Sequence, residues 1–330
     1  MSRFQEFVLG KRLRVLRSGN NVQAGYPKDS ILALKSCLSE AVKHTPVEFT
    51  YDDRGSQLFD LFVDSAPYYL PKCEIEILQC YAEQIAELCG PVEVFEVGSG
   101  SGKKTAILLQ AFQAVHGSCA YFPMDVNESI MVSGARKIQE ELPNVEITCI
   151  AGTYSDIFSS ALPKSGKRLL TFLGSSISQE KDDSLLRKIR ETLDPGEHFL
   201  IAYDLLKPSS ILCSAYDHPA AAALSENAVR NLNANFGADF DLKHFSYFAR
   251  FNEGLFACET GQVSKLAQEV RVDAIGLVLE FEEGEVLRTG LQRKFHPGGF
   301  RKRLENVGFS QVATFSDERN WYRIDLFQAL

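Results

Sequence analysis

Phe95-Glu96-Val97-Gly98-Ser99-Gly100-Ser101-Gly102, followed by Lys103-Lys104-Thr105, is the stretch on which the reading of this chain turns. A short β-rich run over 92–97 leads into glycines at alternate positions, and a helix is expected over 103–115. Glycine has no Cβ, so such a loop can turn tightly and let a ligand approach the backbone. The helix behind it offers unpaired N–H groups and the positive end of its dipole, which suit a phosphate or a carboxylate.

Outward from this loop the chain alternates strand and helix. Strands are expected over 119–124, 145–150, 168–173 and 199–203, and helices over 128–141 and 180–192. That spacing indicates parallel βαβ units and an α/β, doubly wound sheet with its ligands at the carboxyl ends of the strands. After Asp204 the alternation stops. A helix is expected over 219–235 with Pro219 at its start, and strands over 245–258, 268–281 and 285–295, as an antiparallel unit. The tail 298–330 reads as helix, turn and strand returning to the first sheet. Upstream, 31–44, 56–64 (with Ser56 as a cap) and 73–89 read as helices, and Pro67 and Pro71 interrupt the chain around Tyr68-Tyr69. Residues 1–30, with Gly-Asn-Asn and Gly-Tyr-Pro breaks, read as an irregular arm.

Composition narrows the class. With 45% apolar and 24% charged residues, the 330-residue chain has the make-up of a soluble globular protein. A net charge of -8 argues against a nucleic acid held by phosphate contacts. The eight cysteines form no C-x-x-C pair, and reduced, buried thiols are expected. There is no continuous apolar stretch of signal-peptide or membrane-spanning type; a cytoplasmic location is expected, and separately a monomer. His44, His116, His198, His218, His244 and His296 show no metal-ligand spacing, and no metal is expected.

Three cofactors compete for the loop. A P-loop register fails, because Val97 stands where its first glycine belongs and Lys104 where Ser or Thr belongs. The dinucleotide pattern G-x-G-x-x-G fails at Lys103. The remaining E-x-G-x-G-x-G resembles the first motif of the Rossmann-like methyltransferases. The next strand ends in Asp125, which can accept hydrogen bonds from both ribose hydroxyls of a nicotinamide cofactor or of S-adenosylmethionine; the plainer alternative is a cap for the following helix. Thr153-Tyr154, after the third strand, is placed to face an adenine.

Longer segments carry a more specific resemblance. They are Tyr51-Asp-Asp-Arg-Gly-Ser-Gln-Leu-Phe-Asp60, Pro67-Tyr-Tyr-Leu-Pro-Lys72 with Glu74, Val97-Gly-Ser-Gly100 with Lys104-Thr105, Asp125-Val126, Phe172-Leu-Gly-Ser-Ser-Ile177, Ala215-Tyr-Asp217, and Arg288-Thr289 with Lys294-Phe295. Running from about residue 45 to the end, they resemble the histidine-specific S-adenosylmethionine-dependent methyltransferases. The resemblance implies a Rossmann-like domain, set at 61–208 plus 299–330, and a smaller α+β substrate-binding domain, set at 1–60 plus 209–298, that closes over an amino acid. It implies cofactor contacts at Gly98, Lys104 and Asp125, with Gly100, Thr153 and Tyr154 beside them, and S-adenosylhomocysteine as the product. Lys104 suits the cofactor carboxylate.

On the substrate side the resemblance implies that Tyr216 holds the carboxylate and that Tyr68 lines the amine site. It puts Gln179, downstream of Gly174, where the family has the asparagine that grips both groups. The family reads imidazole with a Glu and a Ser in Arg-Thr-Glu-Val-Ser; here the run is Arg288-Thr289-Gly290-Leu291-Gln292, and Ala257 replaces a large side chain nearby. Losing a polar reader costs discrimination. An amino acid more aromatic or bulkier than histidine, tryptophan-like, is therefore expected to be methylated on its α-amino group. The alternatives are histidine itself, a catalytically silent cofactor-binding homologue, and, from the glycine loop alone, a nicotinamide-dependent oxidoreductase. Transfer requires a neutral amine aligned at attack distance, a task assigned to Tyr51, Tyr68 and Gln179 without a strong base.

Overall fold

The structure, a computed structural model, describes residues 4–10, 12–18, 28–65, 67–158, 162–180 and 182–330. Along the chain these form β1 (Phe4–Val8), β2 (Leu13–Ser18), α1 (Lys28–Leu38), α2 (Asp53–Val63), α3 (Leu70–Cys89), β3 (Glu93–Val97), α4 (Thr105–His116) and β4 (Cys119–Asp125). There follow α5 (Glu128–Glu141), β5 (Val145–Ala151), α6 (Tyr154–Phe158), β6 (Arg168–Phe172), α7 (Ser184–Thr192), β7 (His198–Asp204), α8 (Ser209–Tyr216) and α9 (Pro219–Phe236). The last elements are β8 (Phe245–Asn252), β9 (Ala257–Ser264), β10 (Gln268–Val272), β11 (Leu277–Phe281), β12 (Val286–Arg293), α10 (Pro297–Asn306), β13 (Phe309–Ser316) and β14 (Tyr322–Ala329).

The chain divides into two compact units. Unit 1 is Met1–Asn21, Leu70–Leu206 and Phe295–Leu330; unit 2 is Val22–Tyr69 and Lys207–Lys294. Unit 1 is built on a nine-stranded sheet in the order β1-β2-β5-β4-β3-β6-β7-β14-β13. Pairing is parallel from β2 through β7. It is antiparallel at β1–β2, β7–β14 and β14–β13. All five residues of β3 and all seven of β7 are buried, as expected of parallel strands covered on both faces. The order runs outward in both directions from β3, so the crevice beyond its carboxyl end is the switch point where an open α/β sheet takes its ligand.

Unit 2 holds a three-stranded sheet, β12-β9-β8, and the hairpin β10–β11. Its core joins Leu34 and Leu38 of α1, Phe49, Leu232 and Phe236 of α9, and Leu287 of β12. The helix α9 has Pro at its start, His218 Nδ1 accepting from Ala220 N, and a left-handed Gly237 at its end.

Several local expectations change. The described part of the N-terminal arm is a hairpin, and β2 extends the parallel sheet beside β5. Leu13 and Val15 are buried while Arg14 is exposed, a two-residue alternation that the sequence reading passed over. The Gly-Asn-Asn and Gly-Tyr-Pro breaks lie outside the described residues. Residues 1–21 thus fall in unit 1 and 61–69 in unit 2, unlike the boundaries drawn from the sequence. Asp52, not Ser56, caps α2, accepting from Gly55 N at 2.7 Å. Pro71 lies inside the first turn of α3, where its missing N–H breaks no helical bond. The runs 245–258 and 268–281 each contain a turn, and the tail carries two strands after its helix, not one.

Candidate functional site

At the end of β3 the chain enters the left-handed region at Gly98 (φ 68°) and again at Gly100 (φ 51°). The turn is laced to the neighbouring strand: Gly98 N and Ser99 N donate to Met124 O at 2.8 and 3.1 Å. A Cβ at Gly98 would lie 2.9 Å from the Tyr154 hydroxyl, whereas a Cβ at Gly100 would meet nothing within 4 Å. Asp125, half-buried at the end of β4, accepts from Gly100 N at 2.8 Å and from Asn127 N at 2.9 Å. Each carboxylate oxygen keeps a second lone pair for a further donor. Burial raises the Asp125 pKa, against the pull of these backbone N–H groups. The cap of α5 is Asn127, accepting from Ile130 N, so Asp125 is not spent on that helix. Thr153 and Tyr154 follow β5, whose end is tied to β4 by Gly152 N donating to Asp125 O at 3.0 Å.

Two buried carboxylates organise the ground behind the turn. Glu96 accepts from Thr105 Oγ1 at 2.6 Å and from the Tyr121 hydroxyl, joining β3, α4 and β4. Burial pushes Glu96 up to about 7. Glu74 of α3 is fully buried; it pairs with Lys104 and accepts from Gly174 N at 2.7 Å. Gly174 and Ser175 are both left-handed, and the turn they make after β6 leads into a short 3-10 helix, Ser176–Gln179.

These residues suit an adenosyl cofactor with an amino-acid tail. The turn opens outward at Gly100, Ser99 Oγ is buried without a hydrogen-bond partner, Asp125 retains acceptor capacity for a ribose diol, and Lys104 supplies a cation.

In unit 2 Tyr51, Phe59, Phe62, Tyr68 and Tyr216 form an aromatic cluster. Tyr68 lies over Phe62 with centroids 4.1 Å apart and meets Tyr216 edge-on at 5.7 Å. Tyr51 packs edge-on against Phe59 at 5.3 Å, and Phe59 approaches Phe62 at 6.4 Å. Lys294, buried, donates to the Tyr216 hydroxyl at 2.9 Å. Past a register shift between Arg288 and Gly290, β12 sets Gly290 opposite Thr260 and Gln292 opposite Cys258. Side chains alternate across a strand, so Gly290, Gln292, Thr260 and Cys258 share one face. Ala257, opposite Arg293, points to the other. Pairing Ala257 with Gly290 in one pocket is therefore corrected: Cys258 is the residue on the Gly290 face. Nor does Gly290 leave a void, since a Cβ there would lie 2.6 Å from Gln292 Nε2 and 2.5 Å from Thr260 Oγ1. The Gln292 amide covers that space, and its Oε1 is buried without a hydrogen-bond partner.

Of the residues singled out from sequence, Gly98, Gly100, Lys104, Asp125, Thr153, Tyr154, Gly174 and Gln179 belong to unit 1. Tyr51, Tyr68, Tyr216, Ala257, Gly290 and Gln292 belong to unit 2. Glu74 and Lys294 were given no role, although Lys294 lies two residues beyond Gln292, at the spacing that shares a strand face. One group the sequence spacing did not suggest is Cys37, Glu40 and His44, whose ligand-capable atoms lie within 4.8 Å of one another. Burial pushes the thiols of Cys73, Cys89, Cys119 and Cys149 up to about 12, so they stay protonated and unreactive at neutral pH. No helix among the described residues is long and apolar enough to cross a membrane.

A doubly wound sheet with a glycine turn after its central strand, and an acid after the next, defines the Rossmann-like class of enzymes that bind an adenosyl cofactor. Within that class the chain belongs to the histidine-specific, S-adenosylmethionine-dependent methyltransferase family, whose model matches residues 31–329. It is 31% identical to a histidine N-alpha-methyltransferase of Mycobacterium tuberculosis over 296 residues, 88% of this chain and 92% of that one. It is 31% identical to the histidine N-alpha-methyltransferase of Mycolicibacterium smegmatis over 298 residues, 89% of this chain and 92% of the other. It is 27% identical to N-methyltransferase fsqC of Aspergillus fumigatus over 255 residues, 75% of this chain and 69% of that one. The chain is an S-adenosylmethionine-dependent N-methyltransferase. The nicotinamide reading falls away with this membership.

Proposed function

We propose that the chain methylates the α-amino group of an aromatic amino acid whose side chain carries a single neutral N–H, with tryptophan as the type. The observation that carries this reading is Gln292: a neutral amide, with a buried and unpartnered oxygen, covers the space of the absent side chain at Gly290. An indole has one N–H donor and no acceptor, so one amide oxygen satisfies it. An imidazole presents a donor and an acceptor on opposite sides of its ring and needs a second partner. A second reading, histidine, is favoured by the two mycobacterial relatives.

In this reading unit 1 holds the cofactor and unit 2 recognises the acceptor. Asp125 takes the ribose, Lys104 the cofactor carboxylate, and Thr153 and Tyr154 the adenine. S-adenosylmethionine, when bound, supplies an electrophilic methyl on a sulfonium sulfur. Tyr216, with Lys294 against its hydroxyl, takes the acceptor carboxylate. Tyr51 and Tyr68 hold the amine in its neutral form, because an ammonium has no lone pair to give. The tyrosine hydroxyls pass the released proton to water. Alignment of the amine, not general-base strength, is what these groups contribute.

The test is a panel of amino acids incubated with isotopically labelled S-adenosylmethionine, with the methylated position read by mass spectrometry. The expected result is α-N-methylation with kcat/KM for tryptophan above that for histidine. A preference for histidine would favour the second reading, and methyl transfer to no α-amine would remove both.

A further inference from the structure

Glu74 lies outside the loop, the strand ends and the acceptor face, yet it meets two of the elements on which the reaction depends. Its Oε2 pairs with Lys104, and its Oε1 accepts from Gly174 N at 2.7 Å and from the Tyr322 hydroxyl at 3.3 Å. The carboxylate is fully buried, while Lys104 keeps a quarter of its side chain exposed. The ammonium therefore stands between a buried anion and the solvent side of the glycine turn. The same carboxylate fixes the paired left-handed turn at Gly174 and Ser175, and a Cβ at Gly174 would lie only 3.3 Å from Lys104 Nζ. Ser175 is held from its other side, its hydroxyl accepting from Asp204 N at 3.3 Å. The turn opens directly into the 3-10 helix that ends at Gln179.

We infer that Glu74 is a positioning residue for methyl transfer: it holds the Lys104 ammonium at the site of the cofactor carboxylate and fixes the turn that carries Gln179. The inference rests on the reading that Lys104 meets that carboxylate. A flexible lysine must give up rotamer freedom to bind an anion, and a buried carboxylate that already orders it removes that cost before the ligand arrives. Lys104 has three donors, so it can serve Glu74 and a second carboxylate at once. Glu74→Gln keeps an oxygen for Gly174 N and sets an NH2 against the ammonium, which breaks the charge pair selectively.

The experiment is a double-mutant cycle on the full chain, with Kd for S-adenosylhomocysteine measured by calorimetry in E74Q, K104M and the double variant. E74Q is expected to weaken binding about tenfold, a loss on the scale of one charge-assisted hydrogen bond. K104M is expected to weaken it at least as much, and E74Q to add nothing in the K104M background, because its effect runs through Lys104. A merely structural Glu74 gives additive losses. Unchanged or tighter binding by E74Q overturns the inference while leaving the Lys104 reading intact; unchanged binding by K104M overturns both. Amine-acylation footprinting of the unsubstituted chain does not depend on any variant folding. Lys104 should react much more slowly than its exposed neighbour Lys103, and equal rates would also overturn the inference.

Discussion

In the function proposed above, the glycine turn of unit 1 and the end of β12 in unit 2 face the same requirement, recognition of a polar small molecule, and meet it in opposite ways. Around the turn, carboxylates are satisfied before any ligand arrives: Glu96 by Thr105 and Tyr121, Asp125 by Gly100 N and Asn127 N, Glu74 by Gly174 N and Lys104. At β12 the Gln292 amide oxygen is buried with no partner. The first arrangement recognises through backbone N–H groups and acids fixed by the fold, so it tolerates little change. The second recognises through side chains standing on a strand, where one substitution alters the chemistry without disturbing the ladder. A family can in this way keep one donor and vary its acceptor.

The largest effect expected from this contrast is at Asp125. Removing its carboxylate deletes the acceptor for two backbone N–H groups and, in the proposed function, for the ribose, and hydrogen bonds to a charged group are worth ~1.5–3 kcal/mol each. Asp125→Ala should weaken S-adenosylhomocysteine binding by roughly 100-fold or more, read by calorimetry. Binding within about threefold of the unsubstituted protein would show that the ribose is held elsewhere.

Glu96 tests the stability side of the same contrast. In the unfolded chain a glutamate titrates near ~4.3. In the folded chain burial pushes Glu96 up to about 7. Between those values the folded state holds the extra proton, so this residue makes stability fall as pH rises, and its cost is complete above about 7. Glu96→Gln abolishes that slope. Relative to the unsubstituted protein it should gain about 3 kcal/mol between pH 4.5 and 8, visible as diverging melting temperatures across that range. Parallel melting curves would mean that Glu96 stays ionised in the fold.

On the acceptor side, Lys294→Met removes the cation beside the Tyr216 hydroxyl. An acceptor carboxylate should then lose roughly 2 kcal/mol, a rise of about 30-fold in acceptor KM, with the cofactor Kd unchanged. A change in both constants would show that the lysine supports the fold more widely than its place in unit 2 suggests.

How far these regions could be read from sequence follows from their physics. The strands β3 to β7 were legible because parallel strands buried on both faces are short apolar runs between helices, and Gly98, Gly100 and Asp125 stand at their ends by spacing alone. β2 was missed because it is half exposed, and its alternation of Leu13, Arg14 and Val15 is short. The strands β8 and β9 merged because the turn at Glu253-Gly254 is flanked by Phe251 and Phe256. Ala257 and Gly290 were paired for a related reason: which of two adjacent residues shares a strand face with a third depends on pairing register, and the register shifts between Arg288 and Gly290. Glu74 and Lys294 stayed without roles because their partners, Lys104 and Gly174 for one and Tyr216 for the other, are tens of residues away in the chain.

The smallest predicted effect is also the one aimed most narrowly at the difference between the two regions. A methyl at position 290 would meet Thr260 Oγ1 at 2.5 Å and Gln292 Nε2 at 2.6 Å. Gly290 is not left-handed, and the Gln292 amide is the far end of a flexible side chain, but Thr260 Oγ1 sits on a stiff, buried β-branched one, so Gly290→Ala should fold with its melting temperature lowered by a few degrees. What must move are the Thr260 side chain and the Gln292 amide. If that amide reads the acceptor side chain, displacing it should cost about 1 kcal/mol of discrimination, an approximately fivefold fall in the ratio of kcat/KM between the preferred amino acid and the next best. Gln292→Ala should produce the same fall, and the two substitutions together no more, because they remove one reader. The cofactor Kd should be untouched in all three. Independent, additive losses would mean that Gly290 shapes the acceptor site directly and that Gln292 is a neighbour, not its reader.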